Sequence, residues 1–342
     1  MAKRPTIADL AREAGVSVAT VDRLLNARLP VRDQTALRVY KAAETIGYHR
    51  VGLVERRPQP NPPRYRLGFI LRKPAQHFYQ EFAREVEAAV NAAQAFHGTS
   101  RIEFAPSDVP GDLIALLQEL GGRCNAIAMV APDHPTITAA VEELRAKGIP
   151  VFSLLSDFAA GVREGYVGLN NRKVGRTAAW MFSKVAKRPG KVAVLAVNER
   201  YQSHELREIG FRSYIRENAP TFDLFDVFMD IETRRMTYEA TRDVMREPEL
   251  VGFYVAGGDM DGAISALRKE GELREIVAIV NEITPQSRAA LADGTITMAV
   301  ATPLHRLCQE LTTLMANAIE TGCAKTPGQT FLPFDIYLPE NI

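Results

Sequence analysis

Val18, Ala19, Asp22, Arg23 and Asn26 fall on one side of a short stretch whose other side carries Val21, Leu24 and Leu25 at helical spacing. The second set can pack inward; the first is left to meet something outside. Small side chains beside an arginine and an asparagine are the tools for reading base edges in a DNA groove. Arginine presents a planar fork that matches the O6/N7 edge of guanine, a pairing worth about 1–3 kcal/mol of discrimination. Asp22 is the odd member, because a carboxylate near phosphate is repelled unless paired. It could accept from a cytosine amino group, or pair within the helix with Arg23 or Asn26, and both readings stand.

The flanking residues supply the elements that such a face needs. Thr6 is a good helix N-cap, and Asp9 sits three places on, where an acid suits the first turn. Gly15 can end that helix in a left-handed conformation, and Ser17 can cap the next. A third helix follows, with Leu37, Tyr40 and Ile46 as its expected buried residues and Gly47 as its stop. Two short helices joined by a tight glycine turn form a helix-turn-helix. The same outline also occurs in small helical bundles that bind nothing.

The run Thr6-Ile7-Ala8-Asp9-Leu10-Ala11, then Gly15-Val16-Ser17-Val18-Ala19-Thr20-Val21, Arg23, Leu25-Asn26 and Gly47-Tyr48, resembles the headpiece of the lac-repressor family of bacterial transcription regulators. The resemblance implies a recognition helix in the major groove. Ser17, Thr20 and Asn26 would then touch phosphate or base, and Val18 and Ala19 would approach bases. Thr6, Ile7 and Thr35 would hold the duplex backbone through amide and hydroxyl contacts. Three features depart from the family pattern. Asp22 replaces a small hydroxyl residue. Arg32 stands where a serine-like cap begins the third helix, so that Asp33 caps instead or Arg32 grips phosphate. Arg57 and Pro58 lie where a hinge helix places a leucine wedge in the minor groove. Either Leu53 substitutes in a shifted register or no hinge helix forms.

Charge is distributed as that reading requires. Residues 1–66 hold 13 Lys/Arg against 6 Asp/Glu, whereas the remainder holds 29 against 35. A basic end on an acidic body fits a protein that meets phosphate at one end only, although small exposed domains are often basic. Cys124, Cys308 and Cys323 are far apart and lack metal-type spacing, which points to reduced thiols. The opening Met1-Ala2-Lys3-Arg4-Pro5-Thr6 lacks the apolar run of a secretory signal, and no stretch of about 20 apolar residues could span a bilayer. A cytoplasmic protein without a membrane partner is expected.

Residues 51–64, with prolines at 58, 60, 62 and 63 among arginines, read as a hinge or linker between a headpiece over 1–50 and a larger domain over 65–342. In the larger domain apolar strands alternate with amphipathic helices. Strands are expected near 66–71, 101–104, 126–130, 150–154, 191–197, 224–229, 252–255, 276–280 and 296–301. Helices are expected near 76–94, 112–120, 136–147, 172–187, 205–217, 234–246, 262–270 and 285–292. This is the pattern of an α/β protein with doubly wound parallel sheets, here too many strands for one sheet and so two lobes. Ligands of such sheets bind at the carboxyl ends of strands, where two facing lobes make a cleft.

From Tyr65 to Leu338 the chain is similar to the type-I periplasmic-binding-protein fold, the effector domain of the same regulator family. The runs over 166–179 and 255–263 carry that likeness. It implies three crossings between lobes, near 156–165, 302 and 322. It also implies a site for a sugar, polyol or sugar acid. Gln76, Phe78 and Tyr79 follow the first strand where sugar-binding members have a polar residue and aromatics. Arg207, ahead of Gly210-Phe211, matches the sugar-gripping arginine. Asn281 and Glu282 follow a strand where an Asp binds hydroxyls, and Ser156, Asp157, Asp259 and Thr302 complete the ring. Phe78 or Tyr79 alone is more often core, and Asp259 could cap the helix that follows.

No phosphate loop, dinucleotide fingerprint or nucleophile elbow points to an enzyme. The histidines lack metal spacing, and Asp259-Met260-Asp261-Gly262 lacks the remaining ligands of a calcium loop. Neither a cofactor nor a metal is expected. The expected protein is a dimeric, ligand-responsive regulator, most simply a repressor, on a palindromic operator. A solute receptor of a transport system is the alternative.

Overall fold

The computed structural model describes residues 5–25, 33–48, 62–197, 201–229, 233–270 and 276–342. The chain divides into two compact units, Met1–Arg64 with Gln94–His97, and Tyr65–Ala93 with Gly98–Ile342.

In the first unit α1 (Ile7–Glu13), α2 (Val18–Leu25) and α3 (Asp33–Thr45) surround one core. Leu10, Ala11, Ala14, Val21, Leu24, Leu25, Val39, Ala42, Ala43 and Tyr48 fill it, with Tyr40 and Ile46 packed against it. Thr6 and Asp9 form a reciprocal capping box: the Asp9 amide donates to Thr6 Oγ1 at 3.3 Å and the Thr6 amide to Asp9 Oδ2 at 3.0 Å. Gly15 turns the chain with φ +61°, and a Cβ there would lie 2.7 Å from Arg38 Nη2. That guanidinium, from α3, donates to the carbonyls of Ala14 and Gly15 and so satisfies the end of α1. Ser17 caps α2 as expected, accepting from the Thr20 amide at 3.1 Å.

The second unit contains two six-stranded sheets among the described residues, in the orders β11-β5-β4-β3-β1-β2 and β12-β10-β9-β8-β6-β7. The first sheet comprises β1 (Arg64–Leu71), β2 (His97–Phe104), β3 (Ala126–Met129), β4 (Val151–Leu154), β5 (Gly165–Leu169) and β11 (Gly328–Leu332). The second comprises β6 (Lys191–Val197), β7 (Asp223–Met229), β8 (Leu250–Val255), β9 (Val277–Asn281), β10 (Met298–Ala301) and β12 (Asp335–Tyr337). Their central strands are buried on both faces, which explains why they are continuous apolar runs rather than alternating ones.

Helices α4 (His77–Ala92), α5 (Pro110–Gly121), α6 (Pro135–Ala146) and α12 (Leu304–Thr321) serve the first lobe. Helices α7 (Asn171–Val185), α8 (Gln202–Asn218), α9 (Arg234–Val244), α10 (Met260–Glu270) and α11 (Pro285–Ala292) serve the second. Each lobe has its own apolar core, around Ile70, Leu117 and Ile127 in one and Leu195, Phe253 and Leu267 in the other.

Two expectations need correction. The segment 156–165 does not cross between lobes, because Gly165–Leu169 stays in the first sheet as β5, parallel to β4. The first crossing follows Leu169. Likewise the third lies between Leu332 and Asp335, since β11 still pairs with β5. The second is where it was expected, after Ala301. The sheets are also not wholly parallel: β12 runs antiparallel to β10 at the edge.

Candidate functional site

On α2 the expected division of faces is present. Val21, Leu24 and Leu25 are buried, whereas Val18, Ala19 and Arg23 are exposed, Val18 by 51%. Thr20 and Asp22 are half-buried. The hydroxyls of Ser17 and Thr20 share a hydrogen bond of 2.8 Å, which fixes both at the leading end of the helix. Thr6 is exposed, and Ile7 and Thr35 are half-buried. Asn26, Arg32 and the hinge over 51–61 lie outside the described residues, as do the side chains of Asp33 and Leu37.

The second site is an open cleft between the lobes with about 830 Å³ of space among its lining atoms, solvent at the mouth included. It is lined by Gln76, Phe78, Tyr79, Ser156, Arg207, Asp259, Asn281 and Glu282 of the expected set. Gln76 lies at the end of the β1–α4 connection, and its Nε2 donates across the cleft to Asp259 Oδ2 at 3.0 Å. Asp259 also caps α10, accepting from the amides of Asp261 and Gly262, so its capping and lining roles coexist. Phe78 and Tyr79 stack edge-on at 5.2 Å. Tyr79 is 7% exposed and largely core, while Phe78 is half-buried. Asn281 donates to the Val255 carbonyl at 2.5 Å and accepts from Tyr254 at 3.3 Å, which turns its amide toward the strand ends.

Arg207 and Glu282 form the floor. Arg207 Nε donates to Asn171 Oδ1 at 2.8 Å, and Nη2 stands 3.9 Å from Glu282 Oε1. The position of Arg207 is set by close contact of α7 with α8. A Cβ on Gly210 would lie 2.2 Å from the Arg172 carbonyl oxygen, and one on Gly175 would lie 1.9 Å from that of Arg207. Only glycines allow this approach. Glu282 has φ +70°, a strained backbone for a non-glycine residue, at a ligand-facing strand end. Burial pushes its carboxyl up, against the opposing pull of Arg207 and of the Thr302 amide and hydroxyl. Asp261 is likewise pushed up, by burial and then by the neighbouring Asp259 charge, although Thr284, Arg234 and His77 pull it down.

Residues 67–322 match the family described as "Periplasmic binding protein domain". The chain belongs to that family. Residues 6–50 match "Bacterial regulatory proteins, lacI family", so this family member carries a lacI-type helix-turn-helix DNA-binding domain. Among curated relatives it is similar to an HTH-type transcriptional regulator from Streptomyces limosus, 26% identical over 62% of this chain and 58% of the relative. It is also similar to MalR of Streptomyces coelicolor, 27% identical over 48% and 46%. A shorter match to RegA of Clostridium saccharobutylicum is 37% identical over 25% of each chain. The matches thus span about a quarter to three fifths of these relatives.

Similar solved structures include GanP, a glucose-galactose binding protein from Geobacillus stearothermophilus. Its TM-score is 0.72 and its identity 16%, covering 81% of this chain and 98% of GanP. A solute-binding protein from Agrobacterium vitis bound with α-D-tagatopyranose also has a TM-score of 0.72, at 19% identity over 81% and 95%. These likenesses establish the two-lobed fold.

Within this periplasmic-binding-protein-like unit, two of the expected cleft residues stand behind the wall. Asp157 is 4% exposed, and Arg163 holds both its carboxylate oxygens, at 2.5 and 2.6 Å. Ser153 and Gln329 donate to the same group. Burial raises its pKa, but these bonds outweigh burial and keep it below the usual carboxylate range. Its role is to tie β4, β5 and β11 together. Thr302 also sits behind the wall, where it donates to the Glu282 carboxylate through its amide and hydroxyl, both at 2.8 Å.

Sequence reasoning missed Arg72, His77, Tyr201, Ser203, His204, Asp261 and Thr284, all of which line the cleft. Arg72 grips Asp108 with two bonds and lies 4.0 Å over the Tyr201 ring, while the Tyr201 hydroxyl donates to Asp108 at 2.7 Å. Asp108 and Arg72 belong to the first lobe and Tyr201 to the second. Arg72, directly after β1, and Tyr201, just beyond β6, stand at strand exits and were legible from position.

Proposed function

We propose that the chain is a cytoplasmic transcription regulator, most simply a repressor, whose affinity for operator DNA is switched by a small polar ligand in the interlobe cleft. One observation carries this reading. A reading helix with Val18, Ala19 and Arg23 exposed occupies the same chain as a two-lobed domain whose strand ends converge on a cleft rich in hydrogen-bonding groups. A single headpiece offers a small contact area for operator affinity, which favours a homodimer on a palindromic site.

The cleft chemistry favours a sugar or polyol over a sugar acid. Asp259, Asp261 and Glu282 line it, while the Arg72 fork is already held by Asp108. That leaves Arg207, 3.9 Å from Glu282, as the other arginine of a lining that holds three carboxyls. An added anionic group would meet repulsion, whereas hydroxyls can donate to the carboxylates and accept from Arg207. Phe78 offers an apolar face for sugar C–H groups. The relatives named above as regulators, and the sugar-binding neighbours, agree with this reading in their own activities.

A thermal-shift screen of sugars and polyols beside their acids tests it, because a ligand that binds only the folded protein raises its melting temperature. A hit should weaken or strengthen DNA binding by the full chain. Hits confined to the acid forms would overturn the ligand class. A ligand that binds in the cleft without any effect on DNA affinity would overturn the switch.

A further inference from the structure

Two of the three crossings between the lobes are held by one polar chain that runs beneath the cleft. Asn171 is the first residue of α7, immediately beyond the first crossing, and is 3% exposed. Its Nδ2 lies 3.2 Å from the Leu155 carbonyl and 3.3 Å from that of Leu169, both in the first lobe. Its Oδ1 accepts from Arg207 on α8, in the second lobe. Thr302 directly follows β10 at the second crossing, is 7% exposed, and gives both its donors to Glu282. Arg207 and Glu282 stand 3.9 Å apart and both face the ligand space, whereas Asn171 and Thr302 do not line it.

We propose that Asn171 and Thr302 are positioning residues. They fix Arg207 and Glu282 for ligand binding, and through that pair the two crossings are mechanically coupled. The arrangement follows from donor and acceptor geometry. The Arg207 guanidinium gives Nε to the first crossing and turns Nη2, on the same edge, toward Glu282. Both Glu282 oxygens are engaged at the second crossing, so the carboxylate cannot rotate without releasing it. Its strained φ shows that the surroundings, rather than local preference, hold it there. A group that inserts between Arg207 and Glu282 must therefore alter the hold on both crossings together, and the lobes would change angle as a unit. That a ligand is what inserts rests on the effector reading above; the coupling itself does not.

Peptide-resolved amide hydrogen exchange on the full chain, without ligand, tests the coupling. Thr302→Val removes the hydroxyl but keeps the amide and the branched shape. Losing one such hydrogen bond corresponds to roughly a five-fold change in a local opening equilibrium. Faster exchange of about that size is expected at residues 299–304 and also at 166–174, far away in sequence, while Thr302→Ser should restore both segments. Acceleration confined to 299–304, or equal behaviour of the Val and Ser variants, would overturn the proposal. Should Thr302→Val accelerate exchange throughout the second unit, Arg207→Lys asks the same question from the middle of the chain. It must then quicken both crossings while sparing α5, and failure to do so also overturns the proposal. DNA binding enters none of these readouts, so the coupling and the regulator reading fail separately.

Discussion

Replacing Arg163 with methionine should unfold the protein more easily without touching the cleft, and the structure sets the size of the effect. Arg163 and Asp157 are 2% and 4% exposed at their side chains, and they share two short bonds. Methionine fills much of the volume but leaves the Asp157 carboxylate buried with only Ser153 and Gln329 as hydrogen-bond donors. Breaking a buried pair from one side costs about 3–5 kcal/mol. In a unit of this size each kcal/mol moves the melting temperature by about 2 °C, so a fall of roughly 6–10 °C is expected at pH 7.

The pH dependence carries a sign. Asp157 has its pKa lowered in the folded state, so the pair contributes stability above the unfolded carboxyl value and loses it as pH falls through the folded one. In the variant that advantage is gone, and the deficit relative to wild type should shrink toward acid pH. Calorimetry or circular dichroism at pH 7 and at about pH 3, below the unfolded carboxyl value, reads both. The double variant Asp157→Asn, Arg163→Met should recover part of the loss, because no uncompensated charge remains. A melting temperature unchanged at pH 7, or an equal loss at both pH values, would refute the reasoning.

Three further outcomes follow from the cleft. Gly210→Ala places a methyl 2.2 Å from a backbone oxygen that cannot yield, so α7 and α8 must part. A loss of about 1–3 kcal/mol by denaturant titration is expected, together with weakened ligand binding, since Arg207 lies one turn away. Glu282→Gln should raise the melting temperature at pH 7 and not near pH 4. The carboxyl is pushed up in the fold, so its stability is fully present below the unfolded pKa and is lost as pH rises through the folded one. The amide can still accept from the Thr302 amide and donate to its hydroxyl, so lower stability at pH 7 would contradict the burial argument. Arg207→Ala should abolish the ligand-induced thermal shift while DNA binding without ligand persists; an undiminished shift would remove Arg207 from the site.

Local chemistry was the legible part of this chain. Thr6, Asp9, Gly15 and Ser17 specify their caps and turn within a few residues, and the structure realises each of them. The alternation of apolar runs and helices specifies the layered lobes, because buried parallel strands leave an unambiguous trace. The strand Gly165–Leu169 was less visible, as two glycines in five residues read as a loop until β4 and β11 flank it. The same cause displaced the first crossing. The edge strand β12 is only three residues long and has no apolar run of its own.

Among the site residues, eight of the ten that the family resemblance and position after a strand implied line the cleft. For Asp157 position failed because the deciding partner, Arg163, is reached only through the turn after β4. Position after a strand does not show how Arg72 and Tyr201 meet, because their relation runs through Asp108, on a different connection. Short-range spacing does not encode such meetings.

The central claim, that this is a sequence-specific DNA reader governed by a small ligand, is tested most directly by selecting duplexes from a random library with the full chain. The selection is run with and without the best sugar or polyol hit from the thermal-shift screen. The account predicts enrichment of a two-fold symmetric motif whose recovery the ligand changes, and altered base preference when Arg23→Ala is used instead. A library that emerges unenriched, or a motif unaffected by both the ligand and Arg23→Ala, would contradict it.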